Sequence, residues 1–343
     1  MRTPLSKRVR LAGTICAACM LVMASGLISG SAFAQTQLGG QRVATSSGTF
    51  LKIGIDARGA ALGGAYNTLV EGAAATFYNP AGIIGRNGLP NAHFSYAAWP
   101  AGIDIGEVSF ARPFDPLGGQ IAVGFAFLGT DFEETTEFYP TGTGRTLSYS
   151  DFLASVSFAR LFTDRLTIGV SAKYLREDMG SNIGGPVTTG LLFDAGTIYE
   201  MGYRNGRLAI TLMHFGPDLS PNGTYTSHVT DSEVSYSTFS PPTLFQLGFS
   251  IDAYAQGPHR VNLATQVVHP ADQNETLRAA GEYWLQDSYA LRAGYDFAAD
   301  ELAFSAGLGL RLHLLDRDGT LDYSFTEGGN LSAVHRWSLG FGL

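Results

Sequence analysis

The stretch LTIGVSAKY at residues 166–174 alternates apolar with small or polar side chains. A period of two is typical of a β-strand whose two faces meet different surroundings. The same alternation recurs at 289–297, which reads YALRAGYDF, and in the closing residues 333–343. We count about fourteen such segments after residue 90, each close to the roughly ten residues that a tilted strand needs to cross a bilayer. The sequence therefore predicts an all-β chain.

The connections between these segments alternate between short turns and long loops. The turn YRNG at 203–206 has residues that favour tight turns, whereas 130–145, 178–187 and 217–242 are longer. A soluble sandwich also alternates along its strands, but an even strand number with short turns on one side is typical of an outer-membrane barrel. We therefore expect a transmembrane antiparallel β-barrel of about 14 strands over residues 90–343, in the outer membrane of a Gram-negative bacterium, with both termini periplasmic.

The first 34 residues, 1–34, are predicted to be a secretory signal peptide. Basic residues precede an apolar stretch at 11–28, and the sequence AFA at 32–34 supplies a small-x-small cleavage site. Both cysteines of the chain, Cys16 and Cys19, lie in this leader. The predicted mature chain therefore has neither disulfides nor thiolate sites.

Composition excludes two classes of protein. Only 15% of the 343 residues are charged and the formal net charge is -8, so the chain lacks the basic surface of a nucleic-acid-binding protein. After residue 35 there is no apolar run long enough for a membrane-spanning helix. Any membrane crossing must therefore be made by strands.

Residues 35–89 lack strand alternation and are rich in glycine and alanine. We expect them to form an N-terminal hatch inside the lumen, because fourteen strands enclose more space than wall side chains fill. Arg58 is predicted to donate a fork of hydrogen bonds to a lumen carboxylate, Glu282 or Asp296. The residues that we assign to the hatch motif are Lys52, Arg58, Gly63, Gly64, Asn79 and Pro80.

Several predicted strands have charged side chains on the face opposite their apolar stripe. Facing lipid, each charge would cost up to about 2 to 4 kcal/mol at the bilayer midplane, so we place these side chains in the lumen. Because buried charges are normally paired, we predict a structural network and not a transport path. Its members are Lys173, Asp194, Arg278, Glu282, Arg292, Asp296 and Arg336.

Aromatic residues fall into two groups. Those near strand ends, such as Trp99, Tyr199 and Trp284, are expected to form girdles at the membrane interfaces. A second group lies in the long loops, where its members either bind a partner, or pack loop against loop or lie at the lipid interface. These candidate partner-binding residues are Phe132, Phe138, Tyr139, Tyr225, Tyr236 and Phe239.

Two stretches near the N-terminus, FLKIGIDARGAALGGAY at 50–66 and AATFYNPAG at 74–82, resemble the signature of the PorV/PorQ family, within the FadL-like outer-membrane barrels. The segments 280–284, 290–295 and 335–341 are similar to the late strands of that family. The resemblance implies a fourteen-stranded barrel closed by a hatch. For the best-known members it also implies a type IX secretion component that binds or shuttles secreted cargo, with a translocon and cargo C-terminal β-sandwich domains as partners.

The alternative function is a FadL-like passive channel for hydrophobic small molecules, with an apolar groove leading into the lumen. An enzyme is not expected, because no Gly-x-Ser-x-Gly element is present. The seven histidines show no metal-ligand spacing. We therefore predict no catalytic residue, no metal and no cofactor, and outer-membrane lipid as the surroundings for either function.

Overall fold

The fold is an antiparallel β-barrel, described by a computed structural model. The parts of the chain that the structure describes are 45–85, 88–227, 231–299, 301–314 and 317–343, so the predicted signal peptide lies outside them. The strands of the first half are β1 (Asn91–Trp99), β2 (Ile103–Phe114), β3 (Gly119–Glu133), β4 (Thr146–Leu161), β5 (Leu166–Met179), β6 (Val187–Glu200) and β7 (Arg207–Phe215). The remaining strands are β8 (Thr224–Thr226), β9 (Glu233–Ser235), β10 (Leu244–Gln256), β11 (His259–Pro270), β12 (Thr276–Leu285), β13 (Tyr289–Asp296), β14 (Phe304–Leu314), β15 (Arg317–Thr326) and β16 (Val334–Gly342).

Fourteen of these strands close into one barrel, which confirms the predicted fold class. Neighbours in the barrel are neighbours in the chain, except that β7 pairs with β10. Strands β8 and β9 form a separate two-stranded hairpin inside the connection between β7 and β10. The barrel closes where β1 pairs with β16, from Asn91 opposite Gly342 to Ala98 opposite His335.

The two ends of the barrel differ in their connections. At one end, which we call the turn rim, short turns join the strands and the C-terminal Leu343 donates a backbone hydrogen bond to Pro90. At the other end, the loop rim, the two longest connections are 134–145 and 216–243. The structure thus has the alternation of short and long connections that the sequence indicates.

The wall has an apolar outer face and a polar inner face. On β5, Ile168, Val170 and Tyr174 are exposed, while Ser171 and Lys173 on the opposite face are buried. This is the arrangement expected of a lipid-facing wall around a filled lumen. Within the described residues, no helix combines the length and the hydrophobicity needed to cross a membrane.

The girdle prediction is wrong for Trp99, which lines the interior of the barrel, and for Trp284. The side chain of Trp284 is only 3% exposed and lies in the lumen, where the guanidinium groups of Arg260, Arg292 and Arg311 come within 5.5 Å of its ring. Strand parity is the reason, because Trp284 and the buried Glu282 are two residues apart on β12 and therefore share a face. Position near a strand end does not decide which way an aromatic residue points.

Residues 45–85 fill the lumen as short helical turns. One is the α-helix α1 (Ala57–Ala61), and three are 3-10 helices at Thr49–Lys52, Gly72–Phe77 and Pro80–Ile84. Small side chains allow close packing, and the main buried cluster joins alanines of this segment to alanines of the wall. We refer to residues 45–85 as the hatch from here on.

Glycines of the wall lie where the hatch touches it. A Cβ atom on Gly294 of β13 would lie 2.1 Å from the carbonyl carbon of Leu62, and one on Gly169 of β5 would lie 2.3 Å from that of Pro80. Real Cβ atoms do not approach other atoms so closely. The hatch backbone therefore lies directly against the wall backbone. Four further wall glycines would place a Cβ within 3 Å of hatch side-chain atoms, namely Gly124, Gly196, Gly248 and Gly307.

The two ends of the described chain lie at opposite rims. Ser46 forms an isolated bridge with Ser240, and its hydroxyl donates to Asp272, close to the loop rim. The hydroxyl of Ser47 donates to Glu177, near the loop-rim end of β5. Leu343 lies at the turn rim. The expected periplasmic position of the N-terminus concerns residues before 45, which lie outside the described residues.

Candidate functional site

A cavity of about 420 Å³ lies between the hatch and the loop rim. Its wall residues come mainly from the middle and the loop-rim halves of the strands, and Gln273 and Leu302 line it from two loop-rim connections. Its size is that of a typical small-molecule site. Five aromatic side chains line it, namely Phe50, Tyr66, Phe77, Tyr78 and Trp99.

Glu282, which is 1% exposed, joins the hatch to the wall. Arg58 of α1 donates to both of its carboxylate oxygens, from Nε and from Nη2, each at 2.9 Å. Arg292 of β13 donates from Nε to Oε1 of Glu282 at 2.6 Å and from Nη1 to Asp322 at 2.6 Å. The bidentate contact between Arg58 and Glu282 is the strong form of a charged hydrogen bond. Of the two carboxylates that the sequence analysis offered to Arg58, the structure selects Glu282.

The other lumen charges lie in separate groups and not in one network. Lys173 lies 2.5 Å from Asp194 on the β5–β6 side of the barrel. Arg278 lies 2.8 Å from Asp296, nearer the loop rim. All seven residues of the proposed network lie on the lumen side of the wall, but Lys173 and Asp194 lie on β5 and β6, whereas Arg278, Glu282, Arg292 and Asp296 lie on the adjacent strands β12 and β13 in another part of the barrel. The seventh, Arg336, has no acidic partner among the described residues.

His214 belongs to the Lys173 group and was missed by sequence reasoning. It has a positive φ of 58° in a bulge of β7, where the register against β6 shifts between Phe193 and Ala195. Its backbone N–H donates to Asp194 at 2.8 Å. A histidine in this conformation is uncommon and needs support from its surroundings. Nothing in the local sequence marks the bulge.

The hatch-motif residues hold the hatch in place at several points. Lys52 pairs with Asp272 at 2.8 Å. Asn79 accepts a hydrogen bond from the N–H of Ala81 at 3.1 Å, and so caps the 3-10 helix that follows it. Its amide also donates to the carbonyl of Asn67 at 2.9 Å. Three of these residues lie directly against the wall: Gly63 against Gly294 and Tyr295, Gly64 against Arg278, and Pro80 against Gly169.

Asp56 is the N-cap of α1 and accepts a hydrogen bond from the N–H of Arg58 at 3.2 Å. Burial alone would raise the pKa of its carboxyl, but the nearby His93 and hydrogen bonds from Tyr66 and Ser338 lower that pKa below its ordinary value. The Nε2 atom of His93 lies 3.6 Å from the carboxylate. The ionised form of Asp56 is therefore the one that stabilises the folded hatch.

Substituting Asp56→Asn is expected to destabilise the barrel at neutral pH by on the order of 1 kcal/mol, because asparagine keeps the cap but not the charge. Folding lowers the pKa of Asp56, so its contribution is complete above about pH 4 and is lost as the pH falls below that value. The measurement is urea unfolding of both proteins at several pH values between 2 and 7. A difference in stability that does not shrink in acid would contradict this assignment.

The aromatic residues of the predicted partner-binding loops lie at the loop rim but in two places. Phe138, at 86% exposure, and Tyr139 lie in the β3–β4 connection. Tyr225 and Tyr236 pack against each other in the region of the β8–β9 hairpin, with ring centroids 5.3 Å apart. Phe132 and Phe239 are also exposed.

Metal chemistry finds no support in the described parts of the chain, which contain no group of three or more His, Cys, Asp or Glu side chains placed to hold an ion. The arrangement instead combines fixed ion pairs with an aromatic cavity. Such a site can bind and position a small molecule.

Comparison with known proteins gives no matching family model. No curated protein matches the sequence either. Solved structures do match. The Ralstonia pickettii toluene transporter TbuX aligns with a TM-score of 0.53 at 13% identity, over 84% of this chain and 97% of its own. A Pseudomonas aeruginosa FadL homologue gives 0.51 at 13% identity, over 84% and 97%.

The Pseudomonas putida toluene transporter TodX gives a TM-score of 0.50 at 14% identity, over 82% of this chain and 96% of its own. These likenesses support the FadL-like part of the resemblance seen in the sequence, and do not extend to PorV or PorQ. At such low identity they establish the fold alone. The chain therefore has the fold of the FadL-type outer-membrane channels.

Proposed function

We propose that the protein is a passive channel for hydrophobic small molecules in the outer membrane of a Gram-negative bacterium. The observation that carries the proposal is the cavity on the loop-rim side of the hatch, with its five aromatic side chains. Apolar, aromatic lining with a few placed polar groups is typical of small-molecule sites. Structures of the same fold are described as toluene transporters, which supports this class of solute.

The hatch determines how far a solute can travel without a conformational change. The Gly294 and Gly169 contacts leave no gap between hatch and wall at those positions. A solute that enters past Gln273 and Leu302 therefore remains on the loop-rim side until the hatch shifts or the wall opens. We place the turn rim in the periplasm, because outer-membrane barrels have their short turns on that side.

The type IX secretion role remains a hypothesis from the sequence resemblance, with a translocon and cargo β-sandwich domains as its partners. The fold likenesses are to solute channels and favour passage of small molecules. The exposed loop aromatics belong to two different connections of the loop rim. We therefore prefer the channel.

Initial uptake of radiolabelled toluene by cells tests the proposal. Cells with this barrel in their outer membrane are expected to take up toluene several-fold faster than cells with an empty vector. Ala126→Trp, which fills the cavity, is expected to abolish the gain, because Ala126 is buried and lines the cavity. Ala172→Trp is the matched control, because Ala172 lies on the exposed outer face of β5.

Both variants must reach the outer membrane in equal amounts, as judged by quantitative blotting. Equal uptake with and without the barrel would overturn the channel function. An equal loss of toluene uptake in Ala126→Trp and Ala172→Trp would show that the cavity does not lie on the transport path.

A further inference from the structure

The cavity contains a buried cation whose charge no carboxylate balances. Arg336 of β16 is 5% exposed and lines the cavity. Its Nε donates to the carbonyl of Gly54 at 2.9 Å and its Nη1 donates to the hydroxyl of Thr326 at 2.8 Å. Both acceptors are neutral. In the described parts of the chain, Nη2 has no hydrogen-bond partner and no carboxylate forms an ion pair with this guanidinium.

The other Lys and Arg side chains of the cavity are all neutralised. Four Lys and Arg side chains line it in all, and the three besides Arg336 each have a carboxylate at 2.8 Å or closer. A buried charge without a counter-charge is unfavourable, and proteins normally pair it. Arg336 is thus the exception within one cavity. The three pairs are Lys52 with Asp272, Lys173 with Asp194, and Arg278 with Asp296.

In the described parts of the chain, none of the three carboxylates that line the cavity forms an ion pair with Arg336. Glu107 lies 3.7 Å from Nε2 of His93, and Asp296 is paired with Arg278. Glu301, from the β13–β14 connection, accepts a hydrogen bond from Asn330 at 3.3 Å. The counter-charge for Arg336 is therefore not supplied by a described carboxylate of the lining.

The surroundings of Arg336 define the shape of a ligand. Its guanidinium carbon lies over the Trp99 ring, 5.3 Å from the ring centre, and both side chains line the cavity. A guanidinium binds a carboxylate through parallel N–H groups. The other aromatic lining residues favour a flat ring as the remainder of the ligand. Charge and lining together select a ring that carries one carboxylate.

We propose that the cavity binds small aromatic carboxylates, with the carboxylate on Arg336 and the ring against the aromatic lining. This rests on the proposed channel function and narrows its substrate class. An apolar ring alone fits the cavity but leaves the Arg336 charge unbalanced. A carboxylate supplies the missing charge and accepts from the nitrogen that has no protein partner.

The test is isothermal titration calorimetry of the full barrel, purified in a neutral detergent. The probes are 4-ethylbenzoate and 4-ethylbenzamide, which share shape and ring but differ in charge. We expect the wild-type barrel to bind the acid at least about tenfold more tightly than the amide, which corresponds to about 1.4 kcal/mol. Arg336→Gln is expected to remove this preference, and Arg336→Lys to keep part of it.

A control variant changes the cavity without changing its net charge. Arg278→Gln combined with Asp296→Asn removes one complete ion pair from the lining and is expected to keep the preference for the acid. If Arg336→Gln does not fold, the comparison of acid and amide on the wild-type barrel still decides. Equal affinities there, or a preference that survives in Arg336→Gln, would overturn the carboxylate site while toluene uptake leaves the channel standing. Absence of both toluene uptake and binding of either probe would overturn both.

Discussion

Substituting Glu282→Ala is expected to lower the free energy of unfolding of the barrel by about 3 to 5 kcal/mol, because it leaves buried guanidinium groups without their counter-charge. Glu282 accepts three hydrogen bonds, two from Arg58 of the hatch and one from Arg292 of the wall. Removing one carboxylate therefore breaks the link between the hatch and β12. The measurement is the urea dependence of tryptophan fluorescence for the barrel in detergent micelles.

The matched control is Asp296→Ala, which removes a lumen carboxylate that has only one cationic partner. Asp296 and Arg278 are 13% and 25% exposed in their side chains, so water compensates part of the loss. We expect this variant to lose about 1 kcal/mol. Equal losses in the two variants would show that Glu282 has no special place in holding the hatch.

Substituting Gly294→Ala is expected to destabilise the barrel by about 3 kcal/mol, the upper end for overpacking, because the new Cβ meets backbone that cannot move aside. That atom would lie 2.1 Å from the carbonyl carbon of Leu62 and 2.2 Å from the nitrogen of Gly63. The steric clash can be relieved only if the hatch moves away from β13. The urea midpoint and the rate of trypsin cleavage within the hatch measure the two effects.

Gly281→Ala is the control for the glycine substitution itself. Gly281 lies on β12, beside β13, and a Cβ there meets only the side chain of Leu263 at 3.7 Å. The free energy of unfolding of the Gly281→Ala barrel should differ from that of the wild type by less than about 1 kcal/mol, because alanine suits a strand interior at least as well as glycine. A shift for Gly281→Ala as large as that for Gly294→Ala would mean that hatch contact is not the cause.

Strand number and the direction of most wall side chains could be predicted because they depend on local patterns. A period of two fixes the face of Lys173 or Arg292 without knowledge of the neighbouring strands. The same parity also places Trp284 in the lumen, because a residue two positions from Glu282 shares its face however near it lies to the strand end. The β8–β9 hairpin, with three-residue strands, has no pattern long enough to read.

The grouping of the charges could not be predicted, because it depends on distance around the barrel. From the sequence, Arg58 could pair with either of two carboxylates. Only the position of α1 against the wall determines that it pairs with Glu282. The bulge at His214 changes the register between two strands, and no residue type requires it. The unbalanced charge of Arg336 likewise becomes visible only when every neighbouring carboxylate has been located.

The close fit of hatch and wall has a consequence for biogenesis. The last seam of the barrel, between β1 and β16, is itself in contact with the hatch: the N–H of Ala57 donates to the hydroxyl of Ser338 at 2.7 Å, and Arg336 donates to Gly54. With wall glycines pressed against hatch backbone on other strands, a finished cylinder offers no route for the hatch to be threaded in. The hatch must therefore be in place before the barrel closes, and the strands must assemble around it during insertion into the membrane.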